Sequence, residues 1–242
     1  MADLDERARR LARAFWPGPL TLVAPVRDRA AVCDLARAGL DTVALRAPAH
    51  PFAQALLEAF GAVLVAPSAN RSGRPSPTTF ADAVAETGAA AAVALDGGPC
   101  RLGLESTVVS LLDGPPRLLR PGAVTRDQIE AIVGPLAEAE RDARRSPGRL
   151  ARHYAPAAPV RLNVVRPEPG EAFLAFGPGP EGPEIFNLSP RGDLAEAAAN
   201  LFTFLRAADR LAPTAIAVAP LPRQGLGEAI NDRLERAAGF VG

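Results

Sequence analysis

The chain has 242 residues, with 27 basic and 27 acidic side chains and a formal charge of zero, so no bulk field recommends a polyanion or an anionic membrane as partner. That length builds one large or two modest domains, and a hydrophobic fraction of 48% is ordinary for a protein with a buried core. Every basic side chain is arginine, which excludes a phosphate-binding lysine within the chain. Cys33 and Cys100 lie far apart without metal-ligand spacing, as reduced, inert thiols do. No apolar run reaches membrane-spanning length and the charged start is not a signal peptide, so the expected location is the cytoplasm, with no membrane partner.

Leu4, Ala8, Leu11, Ala12 and Phe15 recur at helical spacing and predict an opening amphipathic helix, stopped by Trp16-Pro-Gly-Pro19. Leu20–Ala24 reads as a strand, Ala30–Ala38 as a polar helical patch, and Asp41–Pro48 as a strand with Arg46 at its end. Pro51 suits the first turn of a helix whose apolar face is Phe52, Leu56, Leu57 and Phe60. The apolar run Ala62–Ala66 predicts a buried strand. It ends at Pro67 in a loop of Ser, Asn, Gly and Pro residues, and a helix follows from Pro77–Thr78. Such a loop can hold an anion, and an ordinary turn explains the same composition.

Ala92–Leu95 and Ser106–Ser110 read as further strands, and Gly114-Pro-Pro116 as a hairpin-like turn into Arg117–Gly122. Thr125-Arg-Asp-Gln128 is a capping box that opens a helix carrying Ile129, Ile132 and Val133. Residues 136–152 are polar and basic, and the prolines after them mark the clearest domain boundary. Beyond it, Val160–Val165, Ala172–Phe176, Ile185–Leu188 and Ala215–Ala219 are short strands. They alternate with helices at Asp193–Arg206 and Leu226–Ala238, as in a small parallel, Rossmann-like sheet.

Few polar groups have a catalytic pattern. Arg46 at a strand end can hold a carboxylate, and Thr42 points to the same face by the two-residue period; a surface ion pair is the plain alternative. Ser106 and Thr107 open a strand after a Gly-rich turn, where they would line a pocket rim or merely edge a sheet. Arg120 is a second guanidinium at a strand end. No histidine accompanies a serine nucleophile and neither His50 nor His153 has a partner at metal-ligand spacing. The inventory suits a site that binds anions and orients reactants rather than one that forms a covalent intermediate.

Phe15-Trp-Pro-Gly-Pro-Leu-Thr-Leu22, Val43–Pro48, Pro67-Ser-Ala-Asn-Arg-Ser-Gly73, Glu105-Ser-Thr-Val-Val109 and Arg120-Pro-Gly122 occur in this order. Together the set resembles the Sua5/YrdC/YciO family, the threonylcarbamoyl-AMP synthases. Ser146-Pro-Gly148 with His153-Tyr-Ala-Pro156 is similar to the linker of the longer, Sua5-type members, and Gly225–Leu234 to the end of their C-terminal domain.

The resemblance implies an α/β fold, a YrdC-like twisted α/β sheet domain at 1–140, a linker at 141–158 and a smaller Rossmann-like Sua5 C-terminal domain at 159–242. It implies a synthase that joins L-threonine, bicarbonate or CO2 and ATP, with Mg2+ accompanying the ATP, and passes its product to the tRNA threonylcarbamoyl-transfer machinery. Arg46, Ser68 and Ser106 would meet L-threonine; Thr42, Asn70, Thr78 and Arg120 would meet ATP, and Tyr154 would close over the nucleotide. No protein nucleophile is implied. The family begins with a segment before the Phe-Trp-Pro-Gly-Pro motif, which holds a threonine contact and a phosphate-gripping Lys-x-Arg pair. Its absence here implies a shortened start and weak or no activity of this chain by itself. The competing reading is a non-enzymatic module of the same shape that binds a nucleotide or double-stranded RNA.

Overall fold

Asp5 caps the first helix, α1 (Glu6–Phe15), by accepting a hydrogen bond from the Ala8 N–H at 2.8 Å, and the predicted apolar stripe buries Ala8 and Leu11. The computed structural model describes residues 2–112, 114–138 and 153–239. They pack as two units, Met1–Ala66 with Glu105–Pro147 and Pro67–Leu104 with Gly148–Gly242.

In the first unit, β1 (Leu20–Pro25) pairs antiparallel with β2 (Thr42–Leu45) and parallel with β3 (Thr107–Ser110). β3 pairs antiparallel with β4 (Arg117–Arg120) across the expected turn. A two-residue β5 (Ala137–Glu138) completes a mixed sheet of order β2-β1-β3-β4-β5. Between β2 and β3 comes α2 (Pro51–Phe60), and after β4 comes α4 (Arg126–Val133), opened by the Thr125–Gln128 capping box read from the sequence. Leu11 of α1 and Ile129 of α4 join Leu20, Leu22, Val109 and Leu118 in one core. At the end of β4 a Cβ on Gly122 would lie 2.5 Å from the Glu105 carbonyl oxygen and 2.5 Å from the Thr107 nitrogen. Only glycine lets these two backbones approach so closely.

The second unit holds α3 (Phe80–Thr87), and a parallel sheet of order β6-β9-β7-β8, built from β6 (Val160–Arg161), β7 (Ala172–Ala175), β8 (Ile185–Asn187) and β9 (Ile216–Val218). Helix α5 (Leu194–Arg210) provides the crossover from β8 to β9, and α6 (Leu226–Ala237) follows the last strand. Leu201, Phe202 and Leu205 of α5 pack on Leu174, Ile216 and Ile230. The sheet is parallel as expected from the sequence, but β6, β7 and β8 follow one another without a helix between them, so strand and helix alternate only from β8 onward.

Several expectations differ. Ala62–Ala66 and Ala92–Leu95 are not strands, and Val63, Val65, Val93 and Leu95 are exposed. An apolar run becomes a strand only where a neighbour meets its N–H and C=O groups, and neither run has such a neighbour among the described residues. The face of α2 forms but is not buried: Phe52 is 53% and Phe60 58% exposed. The patch Ala30–Ala38 resolves into two 3-10 turns, Arg29–Ala31 and Asp34–Arg37. Residues 67–104 belong to the second packing unit, which leaves the expected functional division at 1–140, 141–158 and 159–242 untouched. Of the expected linker at 141–158, residues 141–152, including Ser146-Pro-Gly148, lie outside the described residues.

Candidate functional site

In the first unit the sheet brings two arginines and two hydroxyls together. Thr107 pairs with Leu20, which sets Ser106 beside Thr21, and their hydroxyl oxygens are 2.7 Å apart. Arg120, at the end of β4, donates from Nε and Nη2 to the Ser106 carbonyl at 3.2 and 2.8 Å and from Nη2 to the Ser106 hydroxyl at 3.1 Å. Arg46 follows β2 and donates from Nε to the Gly18 carbonyl at 3.0 Å, so both guanidinium groups are aimed by main-chain oxygens.

Desolvation, then repulsion from Arg120, holds the Arg46 pKa below its ordinary value, although part of the side chain is exposed. Arginine stays protonated in proteins, so two like charges confront each other here, and an anion relieves both. Ser106 is 5% exposed, and its hydroxyl oxygen accepts from Arg120. That contact orients the hydroxyl as a polar donor without activating it as a nucleophile. Thr42 stands at the far end of β2, opposite Pro25, about 13 Å of strand from Arg46 at ~3.3 Å per residue. Thr107 does not line this group: its hydroxyl donates to the Val124 carbonyl at 2.6 Å and accepts from the Val124 N–H at 3.0 Å, tying down the turn after Gly122.

The other candidates belong to the second unit. Ser68 is exposed. Asn70 donates from Nδ2 to the carbonyls of Arg71 at 2.9 Å and Arg74 at 3.2 Å, bracing its own loop, while its Oδ1 is buried without a hydrogen-bond partner among the described residues. Thr78 is 5% exposed and shares its hydroxyl with that of Thr203 at 2.7 Å. Tyr154 is 1% exposed, its ring 5.4 Å from that of Phe202 and 5.3 Å below the Arg233 guanidinium. Closing over a nucleotide requires this ring to leave that packing. Sequence reasoning missed Thr21, whose signal was its place inside the Phe15–Leu22 motif. It also missed the partners of residues 71–78 on α5, where Thr203, Arg206 and Asp209 recur at one-turn spacing.

A family model described as "Telomere recombination", for Sua5, YciO and YrdC, matches residues 1–122, and one described as "Threonylcarbamoyl-AMP synthase, C-terminal domain" matches residues 124–239. The chain belongs to the Sua5/YrdC/YciO family. It is 38% identical to the threonylcarbamoyl-AMP synthase of Pyrococcus abyssi, over 98% of this chain and 75% of that protein. The synthase of Bacillus subtilis is 37% identical over 97% of this chain and 73% of its own length. The crystal structure of P. abyssi Sua5 complexed with L-threonine superposes with a TM-score of 0.88 at 35% identity, covering 98% of this chain and 75% of that one. The mixed α/β architecture with two sheets is therefore that of a Sua5-type protein.

Proposed function

We propose that this chain is an L-threonylcarbamoyladenylate synthase, a nucleotidyltransferase-type enzyme. It joins L-threonine and bicarbonate to the adenylyl group of ATP and releases pyrophosphate and water. The observation that carries the reading is the mutually repelling pair Arg46 and Arg120, with Arg120 holding Ser106, in a chain that resembles synthases over nearly its whole length.

The proposed roles follow from the chemistry of each group. Arg46 pairs with the threonine carboxylate, and Ser106 and Ser68 hydrogen-bond the amino acid or its carbamoyl derivative. Arg120, Thr42, Asn70, Thr78 and Tyr154 are assigned to ATP, whose magnesium ion enters with the phosphates as part of the substrate. Rate enhancement comes from orientation and from guanidinium charge facing the carboxylate and phosphates, with no covalent enzyme intermediate. The structural relative named as a complex with L-threonine supports threonine as a substrate. Among the described residues no helix is long and apolar enough to cross a membrane. We assign the enzyme to the cytoplasm, where its product serves N6-threonylcarbamoyladenosine formation in tRNA. The functional division we adopt is 1–140 for the chemistry, 141–158 as linker and 159–242 as the C-terminal domain.

The experiment is pyrophosphate release that depends on both L-threonine and bicarbonate, with the adenylate detected by mass spectrometry. Release that ignores threonine, or retention of RNA or ATP binding with no adenylate formed, would sink the synthase reading in favour of the binding module.

A further inference from the structure

Residues 71–78 have no helix or strand to define them, and Pro75 and Pro77 remove two backbone donors. Their conformation is set from α5. Arg206 donates from Nη2 to the Pro75 carbonyl, from Nε to the Ser76 carbonyl at 3.4 Å and from Nη1 to Glu86 Oε1 at 3.0 Å. The other oxygen of Glu86 accepts from the Arg71 N–H and the Arg71 Nε, each at 3.1 Å. One turn along, Asp209 Oδ2 accepts from Arg74 at 3.2 Å and from the Ala157 N–H at 3.0 Å, and its Oδ1 accepts from the Ala158 N–H at 2.9 Å. One turn back, Thr203 holds Thr78. Thr203, Arg206 and Asp209 thus form one polar stripe on a helix whose neighbouring positions Leu201, Phe202, Leu205 and Ala208 are core.

This stripe is an expensive way to gain stability alone. The Arg206 and Glu86 side chains are only 9% and 4% exposed, and a buried ion pair is often no better than apolar residues of the same volume. What it supplies is a unique geometry: three donor directions on one rigid guanidinium fix two consecutive carbonyls and a carboxylate that in turn fixes Arg71.

We propose that Arg206 and Asp209 are positioning residues for the synthase reaction, holding residues 71–78 so that Ser68 and Asn70 are presented to substrate in one conformation. The kinetic half of this proposal rests on the synthase reading above. The mechanical half does not, because Arg71–Ser72 is a tryptic site inside the held segment, whereas Arg74 is protected by the proline after it.

The test compares Arg206→Gln, Arg206→Lys, Asp209→Asn and the mild Thr203→Val with the wild-type chain in three measurements: tryptic cleavage at Arg71–Ser72, thermal unfolding, and KM and kcat for ATP and L-threonine. We expect cleavage at that bond to accelerate about tenfold in the Gln and Asn variants, as opening of a locally held segment should when its hydrogen bonds go. KM should rise about tenfold with little change in kcat, and Arg206→Lys should recover only part of the loss, since an ammonium cannot serve three directions at once. Unchanged cleavage and KM would overturn the proposal. So would kcat and the unfolding midpoint falling together in every variant with KM unchanged, which is what a purely structural role gives. Should Arg206→Gln fail to fold, Thr203→Val and Asp209→Asn decide by the same criteria. A wild-type chain without threonine-dependent pyrophosphate release ends the synthase reading and the kinetic half with it, and the cleavage rates then judge the clamp by themselves.

Discussion

Arg120 grips Ser106 by its carbonyl and by its hydroxyl at once, so the guanidinium at the end of β4 sets the orientation of the serine just before β3. Removing the hydroxyl leaves the two carbonyl contacts intact. Ser106→Ala should therefore fold normally and lower kcat/KM for L-threonine roughly tenfold, the size of one lost hydrogen bond to a charged or polar partner. Steady-state pyrophosphate release checks this, and an unaltered kcat/KM would take Ser106 out of the substrate site.

Arg46 should not tolerate its nearest chemical relative. A lysine keeps the charge and loses the planar fork, so Arg46→Lys should raise KM for L-threonine by about tenfold while the unfolding midpoint holds. Titration calorimetry with L-threonine, made without ATP, separates binding from turnover. Equal affinity in the two proteins would assign Arg46 to another role.

Glu86 makes the second unit sensitive to acid. Burial alone would raise its pKa, but the Arg71 N–H, the Arg71 side chain and Arg206 outweigh burial and lower it from 4.5 to about 2. A carboxylate with a depressed folded-state pKa contributes stability that is present above the unfolded value and lost as pH falls toward the folded one. Wild type should thus exceed Glu86→Gln by on the order of 3 kcal/mol at neutral pH, with the difference closing between pH ~4.5 and ~2. Urea unfolding followed through Tyr154, the chain's single tyrosine and a residue of that unit, measures it. A difference independent of pH would show that Glu86 acts by packing and not by charge.

Gly122→Ala tests the other unit. The added Cβ meets backbone atoms of residues 105–107, which cannot move aside as a flexible side chain could. Destabilisation of about 2–4 kcal/mol is expected. The fluorescence of Trp16, the single tryptophan, reports unfolding of that unit. An unshifted midpoint would mean that the close approach of β4 and the start of β3 is not required.

What could be read in advance was whatever neighbouring residues decide. The capping box at Thr125 and Gln128, the glycine-proline turn between β3 and β4, and the apolar stripe of α5 are local signals, and each stands where it was expected. Arg46 and Arg120 could be placed at strand ends, but nothing in either segment said that their charges would face each other; that depends on β1 and β3 pairing in register. Val63 and Val65 show the converse error. Composition gave them strand character, and strand formation depends on a partner that composition cannot supply. Arg206 was read only as the end of a helix, because its partners Pro75, Ser76 and Glu86 lie more than a hundred residues upstream.

That separation has a consequence for how the chain comes into being. Arg206 meets Pro75 across 131 positions of sequence. At ~5–20 residues per second, a ribosome delivers the segment on the order of ten seconds before the helix that will hold it. β1 waits in the same way for β3, since Leu20 finds its partner only when Thr107 has been made. Every nascent copy therefore passes through an interval in which Ser68 and Asn70 exist without their frame. A translation stop ahead of residue 206 makes that interval permanent.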